Sequence, residues 1–136
     1  MTRKEAREQA FIIIFEKEFN NEYTLDDIIA AATEAELFDA DNFARDLSEK
    51  TLSQLEKLDE IISSHLKGGW RLSRISKVSL AILRLAICEM IEFDEIPVSV
   101  SINEAVELAK KYAAEEDSSF VNGLLSSVSK GMTADV

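Results

Sequence analysis

The sequence predicts an all-α bundle, and three observations carry that reading. Its 136 residues include only four glycines and one proline, too few for the many turns of a β-sandwich or barrel. Apolar residues recur at three- and four-residue steps through most of the chain, the period of one helical face. Helix start and stop signals separate those stretches. Hydrophobic residues make up 46% and charged residues 30% of the chain, a globular composition. A chain of this length buries a core without disulfide or metal staples.

The first helix is expected over Arg3 to Phe19, with Ala6, Ala10, Phe11, Ile14 and Phe15 on one face. Asn20 and Asn21 stop it, and Thr24, three residues before Asp27, opens a second helix to about Leu37. Asp39 and Asp41 mark the next start. Phe43, Leu47, Leu55, Leu58, Ile62 and Leu66 then keep helical spacing, as one long helix or as two with a break near Ser53. Gly68 and Gly69 are expected to end this stretch as left-handed caps. Ser76 reads as the N-cap of a helix whose apolar residues, Val78 to Ile91, cover nearly its whole circumference. Such a helix is the centre of a bundle, and at about sixteen residues it is too short to span a membrane. The following helix opens either at the capping-box pattern Ser101 to Glu104 or slightly earlier, just after Pro97. Asp117 or Ser118 is expected to cap a last one carrying Phe120, Val121, Leu124, Leu125 and Val128 inward. Residues 1–132 read as a single domain and 133–136 as a frayed tail.

Fifteen basic against 26 acidic residues give a net charge of −11. That balance disfavours broad, nonspecific binding to nucleic acid or anionic membrane. It leaves room for local basic sites, since charges beyond a Debye length are screened. Two such sites occur. Arg3, Lys4 and Arg7 gather at the chain start, and Lys67, Arg71, Arg74, Lys77 and Arg84 fall in an acid-free stretch between Ile61 and Cys88. Intramolecular pairing with the acidic helices competes with ligand binding as an account of both.

Catalytic patterns are missing. His65 is the one histidine and Cys88 the one cysteine, which gives no zinc site and no internal disulfide. His65 reads as structural and Cys88 as a small core hydrophobe. No metal or cofactor is expected, and the chain reads as a soluble cytoplasmic protein rather than an enzyme.

Ordered motifs then narrow the reading. Trp70–Ile75 (WRLSRI), Ala81–Ala86 (AILRLA) with Glu89, Pro97 with Val100, Ile102–Lys110 (INEAVELAK) and Phe120–Leu124 (FVNGL) resemble, in order and spacing, the NusB family of bacterial transcription antitermination factors. The opening Arg3–Ala10 (RKEAREQA) resembles that family's arginine-rich start, with Glu5 interrupting the run. The resemblance is tight from Trp70 to Leu125 and loose between Asn20 and Leu66.

It implies a compact fold of about six or seven helices in two packed subdomains. It also implies pairing with NusE, a small-subunit ribosomal protein. The pair would bind the single-stranded boxA element of nascent ribosomal RNA and help the RNA polymerase elongation complex resist termination. The implied RNA-binding residues are Arg3, Lys4, Arg7, Glu116, Asp117, Ser118 and Phe120. The three cations are expected to be solvent-facing, so that reversing their charge weakens RNA binding without affecting stability. Phe120 has two readings, a stacking platform or a core ring. Asn122 and Gly123 read as helix packing or capping.

Phe15 and Ser79 match the partner-facing surface. Phe15 stands where a tyrosine is common, and Ser79 and Leu80 stand where an acid and a base are common. Ser79 is expected near the surface at the helix start. The competing reading is a helical protein-interaction module without RNA binding. The same module also occurs fused to RNA cytosine methyltransferases, a chemistry for which 136 residues leave no room.

Overall fold

A computed structural model describes residues 2–19, 22, 24, 26–28, 30 and 42–134. Among them there is no strand. The helices are α1 (Arg3–Phe19), α2 (Asn42–Leu52), α3 (Leu55–Ser64), α4 (Lys77–Glu92), α5 (Val98–Tyr112) and α6 (Glu115–Ala134), with a 3-10 turn at Leu72–Arg74 before α4. Residues 26–28 and 30 are also helical. The start signal at Asp39 and Asp41, the stop at Asn20 and Asn21 and most of the expected second helix lie outside the described residues.

Where the second helix is described, its start signal works as expected. The Thr24 N–H donates to Asp27 Oδ2 at 3.0 Å, and the Asp27 N–H donates to Thr24 Oγ1 at 3.1 Å. The two residues thus satisfy each other's end groups. The backbone donor at Thr24, then its hydroxyl contact, hold the Asp27 carboxyl below its ordinary range.

α4 is the hub. Twelve of its sixteen residues are buried, and it packs against α1, α2, α3, α5 and α6. Ile82, Leu83 and Ile87 have no exposed surface, and neither do Leu47 of α2, Leu58 and Ile62 of α3, or Val121 and Leu125 of α6. A helix apolar all round is stable in water only when neighbours cover every side, and here five do. α1 pairs chiefly with α2, and α5 with α6, so α4 joins two groups of helices. Cys88 is buried within it, and burial pushes its thiol above the ordinary range, as expected of an inert core thiol.

α1 runs antiparallel to α4. Near the start of α1, Arg7 reaches Glu89. Near its end, Glu18 accepts from Arg84 Nη1 at 3.2 Å. Arg84 also holds Asp59 of α3 through two bonds of 2.7 and 2.8 Å. Burial alone would lower the Arg84 guanidinium, but its bonds and charge contacts with Asp59 and Glu18 outweigh that and raise it. Two of the expected cations of the acid-free stretch and the chain start therefore act as internal ties.

Several helix ends differ from the sequence reading. The polar gap does break the third helical stretch, at Ser53 and Gln54, leaving α2 and α3. α3 then stops at Ser64 with His65 as its cap, before the glycines are reached. Gly68 and Gly69 take φ of +60° and +74° in the turn that follows, where a side chain would be strained. Ser76 is the expected N-cap of α4, its Oγ accepting from the Ser79 N–H at 3.1 Å.

α5 starts directly after Pro97, the earlier of the two expected starts. The Ser101 capping box does not form, because Ser101 already lies inside the helix, buried. α6 starts at Glu115, ahead of both expected caps, Asp117 and Ser118. Asp117 instead reaches back from the first turn, its Oδ2 accepting from the Ala114 N–H at 3.1 Å.

Candidate nucleic-acid interface

The chain start does not present three free cations. Arg7 is 5% exposed and Glu89 2%. The Arg7 Nε and Nη2 donate to Glu89 Oε1 at 2.7 and 2.6 Å. Arg7 sits on the inward side of α1 with Ala6, Ala10 and Ile14, and burying its charge requires the partner it has. The expectation that charge reversal at Arg7 leaves stability untouched is therefore corrected. Arg3 and Lys4 are exposed. The Arg3 guanidinium lies 3.9 Å from the centroid of Phe43, which in turn packs edge-on against Phe93 at 5.1 Å. This cation–π contact orients Arg3 while leaving its donors in solvent.

Lys4 borders a cavity of about 230 Å3 between α1 and α5, shared with Arg7, Glu8, Glu104, Glu107, Leu108 and Lys111. Glu8 accepts from Lys111 Nζ at 2.6 Å and from the Tyr112 hydroxyl. These two bonds, with the charges of Lys111 and Lys4, hold the Glu8 carboxyl below its ordinary range. The same contacts fix the beginning of α1 beside the end of α5, next to the acidic link that leads into α6.

Phe120 lies at the other end of this surface. It is half-buried and packs against the core, so the structure gives it both a packing side and an open side. It lines a cavity of about 180 Å3 with Trp70, Arg74, Ile75, Ser76, Ser79 and Asp117. It also lines a larger cleft of about 680 Å3 with Trp70, Lys67, Lys130 and others. Glu116 is exposed and Asp117 half-buried. Ser118 is buried, and its hydroxyl donates to the Glu115 carbonyl at 2.6 Å, which makes it a helix-start residue rather than a free donor.

The candidates that reach solvent thus form an extended strip. Arg3 and Lys4 stand near the end of α4, Phe120 and Asp117 near its beginning, and α1, Lys111 and Tyr112 lie between. From Lys4 to Phe11, whose ring meets Tyr112 at a tilt with centroids 5.0 Å apart, the helix rises about 10 Å at 1.5 Å per residue. An extended polyanion fits such a strip better than a compact ligand does.

Sequence reasoning noted Lys67 and Arg74 as part of a basic stretch but did not select Trp70 or Lys130. Trp70 is 53% exposed, the largest side chain of the protein turned outward beside Phe120. The signal was present in the acid-free stretch, but nothing in it connected Trp70 to a helix fifty residues later.

The two partner-facing candidates separate. Phe15 is half-buried and stacks with Phe11 at 5.8 Å and edge-on with Phe19 at 4.9 Å. Phe19 is itself 56% exposed. With Tyr112 these rings make an aromatic stripe along α1, open to solvent at the Phe19 end. Ser79 is 1% exposed, which corrects the expectation of a surface position. Its first-turn location suggested the surface, but the 3-10 turn and α6 close over it. Its Oγ has no hydrogen-bond partner among the described residues.

Among the described residues no group of three or more potential ligands could hold a metal ion. No described helix is long and apolar enough to cross a membrane.

Comparison with known proteins places these features. The profile of the NusB family matches residues 4–130. A transcription antitermination protein NusB from Natranaerobius thermophilus is 41% identical over 132 residues, covering 94% of each chain. Among solved structures, NusB from T. maritima superposes with a TM-score of 0.81 at 32% identity, covering 96% of this chain and 92% of that one. A chain from the crystal structure of antitermination factors NusB and NusE in complex with double-stranded RNA superposes with a TM-score of 0.84 at 28% identity, covering 95% of this chain and 96% of that one.

Proposed function

This chain belongs to the NusB family of transcription antitermination proteins, and from that membership we propose that it pairs with NusE and binds the boxA element of nascent ribosomal RNA as a single strand. In the cytoplasm the pair joins the RNA polymerase elongation complex and lowers its tendency to terminate. The role is one of binding, not of catalysis.

The observation that carries the RNA reading is the open face formed by Trp70 and Phe120 with Arg74, Lys67 and Lys130 around it. Single-stranded RNA is held by cations at its phosphates and by flat side chains on which unstacked bases rest. Arg3 and Lys4 supply further phosphate contacts at the far end of the strip. Arg7 supports them indirectly, by fixing α1 to α4. Glu116 and Asp117 offer acceptors for base amino groups. Ser118 holds the helix start that carries them. NusE is assigned to the aromatic stripe of Phe15 and Phe19. Ser79, being buried, acts on that surface only through the packing of α4.

The direct test is titration of a boxA oligonucleotide, a scrambled single strand and a duplex, each with and without NusE. Preference for boxA, strengthened by NusE, is the expected result. Binding of NusE with no RNA affinity in any combination would favour a plain protein-interaction module.

Two substitutions sharpen the test. Lys4→Ala removes an exposed cation and should lower the log–log salt slope of single-strand binding by about 0.7, with the melting temperature unchanged. An unaltered slope would remove Lys4 from the phosphate contacts. Phe120→Ala should weaken RNA binding by about 1–3 kcal/mol. It should also lower stability, though by less than the roughly 3–5 kcal/mol of a fully buried phenylalanine. Stability loss with normal binding per folded molecule would make Phe120 a core residue only.

A further inference from the structure

The cleft of about 680 Å3 on the α3 side of Phe120 is lined by eleven residues, among them His65, Lys67, Trp70, Gly123, Ser127 and Lys130. Its size falls within the range of small-ligand sites. In a chain with 26 acidic residues, none of these is a carboxylate. Lys67 and Lys130 are exposed and make no ion pair among the described residues. His65 Nδ1 and Ser127 Oγ are 2.7 Å apart, which ties the end of α3 to α6 and fixes the back of the cleft.

Gly123 supplies a second, independent observation. It lies in the interior of α6, where glycine costs about 1 kcal/mol relative to alanine. A Cβ built there meets nothing within 4 Å. Packing within this chain therefore does not require glycine, and the residue does not cap the helix, contrary to both roles its sequence context suggested. Gly123 lines the cleft together with Trp70 and Phe120 and adds no side chain to it.

We propose that this cleft receives an unstacked base of the bound RNA strand, resting on the Trp70 ring above Gly123, with the neighbouring phosphates at Lys67 and Lys130. The assignment rests on the RNA reading above and deepens it, placing one base and its two flanking phosphates in the cleft beside Gly123. The charge of the rim selects an anionic ligand over a basic or apolar one, and the exposed indole selects a flat group such as a base over an acidic peptide. The cleft is also continuous with the strip, since Trp70 and Phe120 line both it and the smaller cavity that holds Asp117.

Trp70 is the only tryptophan, so its fluorescence reports on this place alone. Addition of the boxA oligonucleotide to the full chain should quench it. Gly123→Leu puts a side chain into the cleft at a position with room for it, and leucine is a better helix former than glycine. The melting temperature should hold or rise, while RNA affinity falls at least tenfold and the quenching disappears. The double substitution of Lys67 and Lys130 by alanine should lower the salt slope by about 1.4. Wild-type RNA binding with unchanged affinity and quenching in Gly123→Leu would overturn the cleft assignment and leave the RNA reading standing. Quenching by NusE and not by RNA would overturn it in favour of a protein contact. Absence of any RNA binding by the wild type would overturn both.

Discussion

Glu89→Ala should destabilise the protein by about 3–5 kcal/mol, because it strands the Arg7 guanidinium in the core without its counter-charge. Arg7 and Glu89 are 5% and 2% exposed, and the bonds of 2.7 and 2.6 Å between them are their chief compensation for lost water. Against a total stability of about 5–15 kcal/mol for a domain, the loss is large enough to show directly in a denaturant midpoint. Replacing the pair together, Arg7→Met with Glu89→Leu, should recover most of it, since two apolar side chains of similar size carry no desolvation cost. RNA affinity of the folded double variant should stay within a few-fold of wild type. A single variant as stable as wild type would show that solvent reaches the pair. A folded double variant that no longer binds RNA would return Arg7 to the direct contacts.

Leu125→Ala should cost about 4 kcal/mol, near the upper end for a buried leucine, because a sealed site keeps the cavity it is left with. Leu125 has no exposed surface and sits among the core residues of α4 and α6. Its neighbour Leu124 is also buried but lines the cleft beside Trp70. Leu124→Ala opens into that cleft, which water can fill, and should cost nearer 2 kcal/mol. The comparison keeps residue type and helix constant and varies only the surroundings. Equal losses measured by urea unfolding would mean that the cleft wall is packed as tightly as the core.

How far the site could be read in advance varied with the kind of signal. Local signals worked. The span of α1, the reciprocal contact of Thr24 and Asp27 and the Ser76 cap each depend on residues a few positions apart, where sequence spacing is spatial spacing. The placement of α4 at the centre was legible for a related reason, since a helix with no polar face has no other stable environment in water. Phe120 was legible as an ambiguity, an apolar residue at the edge of a stripe, and the structure keeps both halves of it.

Long-range questions had no such signal. Whether Arg7 was free or paired depended on Glu89, 82 residues away, and a helical stripe does not reveal which charge will face it. Ser79 looked exposed because it starts a helix. Trp70 went unselected because its meaning comes from Phe120. Gly123 looked like packing or capping until the space around it was visible.

The sequence by itself determined the fold class, the family and the existence of two basic regions, because composition, period and ordered motifs are properties of the chain. Only the tertiary structure decided which charges reach solvent. Burial and pairing are set by what lies opposite each residue, and the antiparallel packing of α1 on α4 consumes Arg7 and Arg84 while leaving Arg3 and Lys4 outside. The same packing brings Trp70 and Phe120 to one cleft, a proximity that follows from the meeting of separate elements and from no spacing along the chain.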